Sequence, residues 1–372
     1  MPQRVLFLGE YGWRNGGENS FLAIAPELSS QGFEFVTAVP SASEFSSALG
    51  TLNFATIDLQ LFDQGHRKTQ SRIREDLNRL IQQTRPDLIH CNSLSTSRLI
   101  GPVASSCQIP SIGYLRDILK LSGQAIRDIS QINQLVAVSK ATRDYHVSAG
   151  LPANQIDVIY NGVDGNRFKA RPATGEIHRK LGIPESAQIA ICIGQIGIRK
   201  GVDIVLESFL RLANTNRSLH MVFAGSRHSQ KQESIDYESQ LKSTGCNSPF
   251  ANRIHWLGRV EEMPRLMNEA ILLLHGARQE PLGRVLLEAA ASGLPFIATD
   301  VGGTSEIIAG LEINLVPPDN IIEMAIAAQR LIQSPSQREK EAGDLRSQAV
   351  HQFSIQKCAN ALGELYRRQL AG

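Results

Sequence analysis

Residues Ala190-Ile-Cys-Ile-Gly194 run into Gln195-Ile-Gly-Ile-Arg-Lys-Gly201 and then into Val202-Asp-Ile-Val-Leu-Glu-Ser-Phe-Leu-Arg-Leu-Ala213. The first segment is apolar without period-two alternation, as in a strand buried on both faces of a parallel sheet. The second is a glycine-rich loop. The third has the pattern of an amphipathic helix. Strand, glycine loop and helix make the repeating unit of a doubly wound α/β fold. Because the unit lies mid-chain, after an earlier series of the same kind, it opens a second domain.

On the N-terminal side the expected strands are Val5–Gly9, Glu34–Val39, Ala55–Leu59, Leu88–Cys91, Ser111–Leu115 and Leu135–Val138. Helical patterns lie between them near Glu18–Ser30, Gln70–Gln83, Ser95–Ser106 and Lys140–Ala149. The pattern pauses at Asn161-Gly-Val-Asp-Gly165, which is turn chemistry, and a linker is expected near residues 165–186. The second series adds strands at His220–Ala224, Arg253–Leu257, Ile271–Leu274, Phe296–Thr299 and Ile313–Val316. Its helices include Pro281–Ser292 and Ile321–Gln333. Two further helices, about Ser336–Gln352 and Ile355–Leu370, follow the last strand; Ser354 supplies a start signal, and such terminal helices often clamp domains. The expected division is 1–168 with a returning helix at about 355–372, and 169–354.

A chain of 372 residues suits two cores. Its 42% hydrophobic and 20% charged residues are those of a soluble globular protein. The net charge of +2 lacks the basic excess of a bulk nucleic-acid binder. Cys91, Cys107, Cys192, Cys246 and Cys358 are scattered, which points to free thiols in a reducing compartment and not to a metal site. The N-terminal apolar run is too short for a signal peptide, and no stretch approaches the roughly 18 apolar residues of a membrane span. A cytoplasmic protein is expected, with peripheral contact at the inner membrane face left open.

Chemistry concentrates in Arg278-Gln-Glu-Pro-Leu-Gly-Arg-Val-Leu-Leu-Glu288. With Pro281 as the first helical residue, Glu280 stands just outside a helix N-terminus and Glu288 about two turns inside. At about 1.5 Å rise per residue the two carboxylates mark a slot about 12 Å long. Unpaired N–H groups between them form an anion site. Acid, anion site and acid match the sugar hydroxyls, diphosphate and ribose diol of a nucleotide sugar.

Three further loops follow strands. Gly9-Glu-Tyr-Gly-Trp-Arg-Asn-Gly-Gly-Glu18 opens a helix at Gly16 and Gly17, where backbone can approach a ligand. It is not the dinucleotide fingerprint. Arg199 and Lys200 suit a diphosphate but do not form a Walker A loop; a solvated charge pair is the competing reading. Asp300-Val-Gly-Gly-Thr-Ser-Glu306 brings Gly302 and Gly303 close to whatever binds there, although Glu306 also reads as an ordinary first-turn glutamate. Ligands of doubly wound folds lie beyond the strands' carboxyl ends, so facing sheets would set these loops on opposite walls of a cleft. The basic run His66-Arg-Lys-Thr-Gln-Ser-Arg-Ile-Arg74 reads either as a surface for anionic lipid or glycan or as a solvated helix face.

Taken in order, these residues resemble glycosyltransferase family 4, the retaining group with the GT-B fold. The resemblance covers nearly the whole chain. It runs through Gly16-Gly17-Glu18, Pro86-Asp-Leu-Ile-His90, Val138-Ser139-Lys140 and Ile159-Tyr-Asn-Gly-Val-Asp164. It continues through Lys200-Gly201, Ala224-Gly225, Trp256-Leu-Gly258, Glu280 to Glu288 with Ala-Ser-Gly-Leu-Pro295, and Gly302-Gly303-Thr-Ser-Glu306. It implies two Rossmann-like domains, acceptor-side then donor-side, with the C-terminal helix crossing back to the first. It also implies retaining transfer from a nucleotide-diphosphate sugar without a metal or other cofactor, in glycan biosynthesis. The acceptor, whether glycan, lipid or small metabolite, is unread and its site is expected within residues 1–165.

In that resemblance Glu280 contacts the donor sugar and steadies developing charge, Glu288 holds the ribose and Lys200 the diphosphate. Leu282, Gly283, Arg284 and Val285 line the phosphate, with Gly16 and Gly17 approaching from the other domain. The family usually has Arg where Gln195 stands; losing a charge-assisted contact there weakens binding by about 1.5–3 kcal/mol unless Arg199 substitutes. Many members have His-Asp where this chain has Arg116-Asp117. Arg is no base near neutral pH, so Arg116 would instead offset phosphate charge. Ala277 replaces a frequent Ser. Asn92, Asp117 and Asn161 are candidate acceptor or sugar contacts. A GT-B-type epimerase or hydrolase, and a catalytically degenerate nucleotide-sugar-binding protein, are the alternative readings.

Overall fold

The computed structural model describes residues 2–63 and 66–371. The chain divides into two compact units, Met1–Gly162 with Phe353–Gly372, and Val163–Gln352. The first unit contains β1 (Gln3–Leu8), α1 (Gly16–Ser30), β2 (Phe33–Val39), α2 (Glu44–Thr51) and β3 (Ala55–Asp58). The short antiparallel pair β4 (Phe62–Asp63) and β5 (His66–Arg67) precedes α3 (Gln70–Thr84), β6 (Leu88–Cys91), α4 (Leu94–Cys107) and β7 (Ser111–Leu115). Then come α5 (Gly123–Ile129), β8 (Gln134–Ala137), α6 (Lys140–Ser148) and β9 (Ile156–Val158).

The main sheet is parallel throughout, in the order β3-β2-β1-β6-β7-β8-β9. Every residue of β6 and β7 is buried, which is why those runs lack alternation. Ser93 and Ser139 cap α4 and α6 by accepting from the Thr96 and Thr142 amides. The winding direction switches between β1 and β6, the position where such sheets bind ligands.

The second unit runs α7 (Glu176–Leu181), β10 (Gln188–Ile193), α8 (Val202–Thr215), β11 (Leu219–Ala224), α9 (Gln232–Cys246) and β12 (Ile254–Gly258). It continues with α10 (Met263–Glu269), β13 (Leu272–His275), α11 (Arg284–Ala291), β14 (Phe296–Ala298), α12 (Thr304–Ile307), α13 (Ile321–Gln333) and α14 (Pro335–Gln352). Its sheet is also parallel, ordered β12-β11-β10-β13-β14, with the switch between β10 and β13. Val205, Leu206, Phe209 and Leu212 of α8 share a core with Met324, Ala328 and Leu331 of α13. Burial of Phe209 alone contributes roughly 1.5–3 kcal/mol.

Helix α15 (Ile355–Ala371) belongs to the first unit, where it packs on α1. Tyr366 is its anchor: the fully buried ring meets Phe33 edge-on at 5.0 Å, and its hydroxyl hydrogen-bonds His90 Nδ1. The doubly wound expectation and the returning C-terminal helix are thus observed.

Two expected elements are corrected. Ile313–Val316 is not a strand but touches β14's edge through one parallel bridge, Thr299 with Val316. Pro317 and Pro318 follow and cannot donate to a ladder. The helix expected from Pro281 begins at Arg284, because Gly283 takes a left-handed φ of 104° that breaks the first turn. All five cysteines are free, and among the described residues no helix is long and apolar enough to cross a membrane.

Candidate active site

In the second unit the loops after β10, β13 and β14 meet. Gly201 has φ 58°, and a Cβ there would stand 1.7 Å from the Gly276 carbonyl oxygen, so glycine alone lets the first two loops touch. Arg278 fastens them. Its amide donates to the Arg199 carbonyl at 2.9 Å. Its guanidinium donates to the Ile198 carbonyl at 2.8 Å and to both oxygens of Asp203 at 2.9 and 2.7 Å. A third carboxylate contact, Nε to Asp319, is 2.6 Å. Tyr237 donates to Asp203 at 2.6 Å. Burial pushes the Asp203 carboxyl up, but Arg278 and Tyr237 outweigh it and hold it below its usual range. The Gly303 amide donates to the Glu280 carbonyl at 3.0 Å, which adds the third loop.

This bracing delivers one ion pair. Lys200 Nζ donates to Glu280 Oε2 at 2.5 Å, and His275 Nε2 reaches the same oxygen at 3.0 Å. Glu280 is only 6% exposed. Burial by itself would raise its carboxyl, yet the Lys200 charge and the His275 hydrogen bond hold it far below the ordinary carboxylate range.

Gln195 and Arg199 are half-buried on the loop after β10. The Leu286 and Leu287 amides bond back to the Gly283 carbonyl at 2.9 and 3.2 Å, so the helix end lies at Gly283–Val285. Leu282 is 1% exposed, so its side chain is core and only its backbone reaches that end. Glu288 is in the second turn of α11, closer to the helix start than a helix beginning at Pro281 would put it. It accepts Arg284 Nε and Nη2 on Oε1 at 2.9 and 2.6 Å.

In the first unit the loops after β1, β6 and β7 form a second cluster. A Cβ on Gly17 would lie 3.1 Å from Arg116 Cδ and 3.3 Å from Asn92 Nδ2, while Gly16 is open. Arg116 donates from Nε to the Asn92 carbonyl at 3.0 Å and from Nη1 to Asn161 Oδ1 at 2.9 Å, and lies 4.0 Å over the Tyr114 ring. Asn92 is 2% exposed, and its Oδ1 has no partner. The Asp117 carbonyl accepts from His146 Nε2 at 2.8 Å. Glu18 closes a capping box with the Asn15 amide at 3.2 Å, and burial pushes its carboxyl up.

The basic run His66–Arg74 is largely taken up internally. Lys68 pairs with Asp76 at 3.0 Å, Arg72 with Glu75 at 3.2 Å and Arg74 with buried Asp128 at 2.9 Å. Sequence reasoning missed His275 and the Arg278–Asp203 brace. The only signal for His275 was a polar residue ending the apolar run of β13; the brace joins residues far apart in the chain and had none.

Two family models match the chain: Glycosyltransferase Family 4 over residues 14–167, and Glycosyl transferases group 1 over residues 173–346. The lipopolysaccharide core biosynthesis mannosyltransferase LpsB of Rhizobium meliloti is 23% identical over 273 residues, covering 68% of this chain and 77% of that protein. Spore coat protein SA of Bacillus subtilis is 25% identical over 317 residues, covering 80% and 83%. Among solved structures, Anabaena Alr3699/HepE in complex with UDP and glucose superposes with a TM-score of 0.86 at 20% identity, over 98% of this chain and 100% of that one.

Proposed function

Since this chain belongs to the family 4 type of glycosyltransferase and is a transferase enzyme of two Rossmann-like domains, we propose that it moves a sugar from a nucleotide-diphosphate donor to an acceptor with retention at the anomeric carbon. The observation that carries this reading is the buried Lys200–Glu280 pair at the α11 end, braced by three loops. A donor diphosphate offers Lys200 a second anionic partner, and the Gly283–Val285 amides add donors. Glu280 holds the sugar hydroxyls and the positive charge that develops at C1. Glu288 holds the ribose diol, released in part from Arg284. Gln195 and Arg199 assist the phosphates.

In the step itself the C1–O bond to the diphosphate breaks and the acceptor oxygen bonds C1 on the same face. The acceptor proton passes to the leaving phosphate oxygen, and nucleoside diphosphate departs. Lys200 and helix-end amides supply the neutralisation a metal would otherwise give. The acceptor class at this level is a glycan, lipid or small metabolite.

A thermal-shift screen with UDP-, GDP- and ADP-sugars tests the donor half, because a bound donor raises the midpoint. We expect one series to shift wild type and not Lys200→Ala. NMR of the product is expected to show the donor's anomeric configuration. Release of free sugar or an epimer alone, with every acceptor, would overturn the transferase assignment of this site.

A further inference from the structure

Helices α8 and α13 of the second unit present an apolar groove to solvent. We propose that this groove is the contact between two copies of the chain, packed about a two-fold axis that crosses it. Such a pairing is independent of the transfer reaction. Ile322 and Ile326, one turn apart on α13, are 56% and 59% exposed. Arg211 of α8 and Arg330 of α13 line the same groove. A single exposed isoleucine needs no explanation, but two side by side form a patch that marks a contact surface.

The charges around the patch select the occupant. Glu207 lies one turn before Arg211 on the same face of α8, and Glu323 lies two turns before Arg330 on α13 with Ile326 between them. All four charged residues are exposed. Among the described residues, Glu207, Arg211 and Glu323 have no ion-pair partner, although Glu207 and Arg211 stand at the spacing that would let them pair. Arg330 touches Glu341 at 3.4 Å and has donors to spare. Each helix thus carries an acid toward its N-terminus and a base toward its C-terminus.

The register of the two helices makes that pattern self-complementary. Ser208 Oγ donates to the Ile321 carbonyl at 3.2 Å, and Asn216 Nδ2 to Gln329 Oε1 at 2.7 Å. The helices therefore run side by side in the same direction, with Arg211 level with Met324 and Glu207 level with Asn320. A two-fold axis level with Met324 passes midway between Ile322 and Ile326 and lays α8 of each copy antiparallel over α13 of the other. Ile322 of one copy then comes level with Ile326 of the second. Arg211 falls one residue, about 1.5 Å of rise, from Glu323 of the second copy, and Glu207 two residues, about 3 Å, from its Arg330. Both offsets are within the reach of an arginine side chain. An anionic membrane would meet Glu207 and Glu323 as like charges, and an acidic peptide would leave them unpaired; a second copy answers both signs at once.

Sedimentation velocity of the full chain from about 1 to about 300 µM tests this, a range that suits a small interface. We expect a concentration-dependent rise from monomer to dimer. Ile326→Glu should raise the dissociation constant at least about tenfold. Arg211→Glu and Glu323→Arg should each weaken the dimer about tenfold, and the two together should restore it to within about threefold of wild type, since each residue then meets its opposite across the axis. All three sites are exposed, so the urea midpoint should stay that of wild type. A monomer throughout the range overturns the proposal, as does a dimer indifferent to Ile326→Glu. Single reversals that weaken the dimer without recovery in the double variant overturn the two-fold register. Binding to phosphatidylglycerol vesicles that Ile326→Glu abolishes, in a chain that stays monomeric, assigns the patch to a membrane instead.

Discussion

Lys200 and Glu280 are bound at 2.5 Å through Nζ and Oε2, with the carboxylate almost wholly out of water. His275 uses the same oxygen. In our reading Oε1 is therefore the oxygen offered to the sugar, and Lys200 is shared between Glu280 and the donor phosphates. Removing one partner strands the other charge. Lys200→Ala is expected to lower unfolding free energy by roughly 3–5 kcal/mol, the range for breaking a buried pair, with the His275 hydrogen bond keeping it near the low end. Lys200→Ala with Glu280→Gln together should recover most of that loss, because a neutral amide tolerates burial better. Urea denaturation of the four proteins in the cycle measures this; wild-type stability in Lys200→Ala would show that the pair is not formed in solution.

The same pair fixes a pH dependence. The folded Glu280 carboxyl lies far below its unfolded value near pH 4.3, so the folded state favours the ionised form. Its stabilisation is fully present above about pH 4.3 and drains away only as pH falls toward the folded value. The stability gap between wild type and Glu280→Gln should thus be flat from about pH 5 to 8 and shrink below about pH 4. The acid limb of the rate profile, likewise, should not report Glu280. A gap that closes between pH 6 and 5 would contradict the depressed ionisation.

Two glycines separate folding from function. Gly201→Ala puts a methyl 1.7 Å from a backbone oxygen at a left-handed φ, which nothing flexible can relieve. It should cost more than about 2 kcal/mol. Gly17→Ala meets only the Arg116 side chain and Asn92 Nδ2, in the first turn of a helix that gains from alanine. Its midpoint is expected within about 0.5 kcal/mol of wild type, while transfer falls at least about tenfold as backbone access is lost. Differential scanning calorimetry beside a transfer assay decides; equal midpoints for the two variants would refute the contrast.

The fold was legible because buried parallel strands are short apolar runs; Leu88–Cys91 and Ser111–Leu115 coincide with β6 and β7. Helix α9 was not, because only Leu241 and Gly245 of it are buried and its apolar stripe is weak. The α11 start was misread through Pro281, since the left-handed Gly283 overrides proline's preference for a first helical position. For the site, spacing brought Lys200 and Glu280 into view as separate anion and sugar contacts. That they bind each other, and that His275 makes a third, depends on β10 and β13 being neighbours, which no local pattern encodes.

The C-terminal helix gives the last prediction. His90 on β6 and Tyr366 on α15 are both fully buried and share a hydrogen bond through Nδ1. His90 Nε2 has no partner, and burial together with the positive Arg116 holds the imidazole well below its ordinary value. The sign follows directly. Above about pH 6.5 neither the folded nor the unfolded His90 carries a proton, so it adds no pH dependence. Below that, the unfolded chain takes up a proton that the folded one refuses, and stability falls by up to about 1.4 kcal/mol per pH unit. Tyr366→Phe should remove about 1–2 kcal/mol at pH 7.5 by leaving Nδ1 unsatisfied, with the acid slope retained. His90→Gln should flatten the slope between about pH 6.5 and 5 relative to wild type. Urea titrations across that window check both, and an unchanged slope in His90→Gln would mean that other buried groups, His146 and His220 among them, carry it.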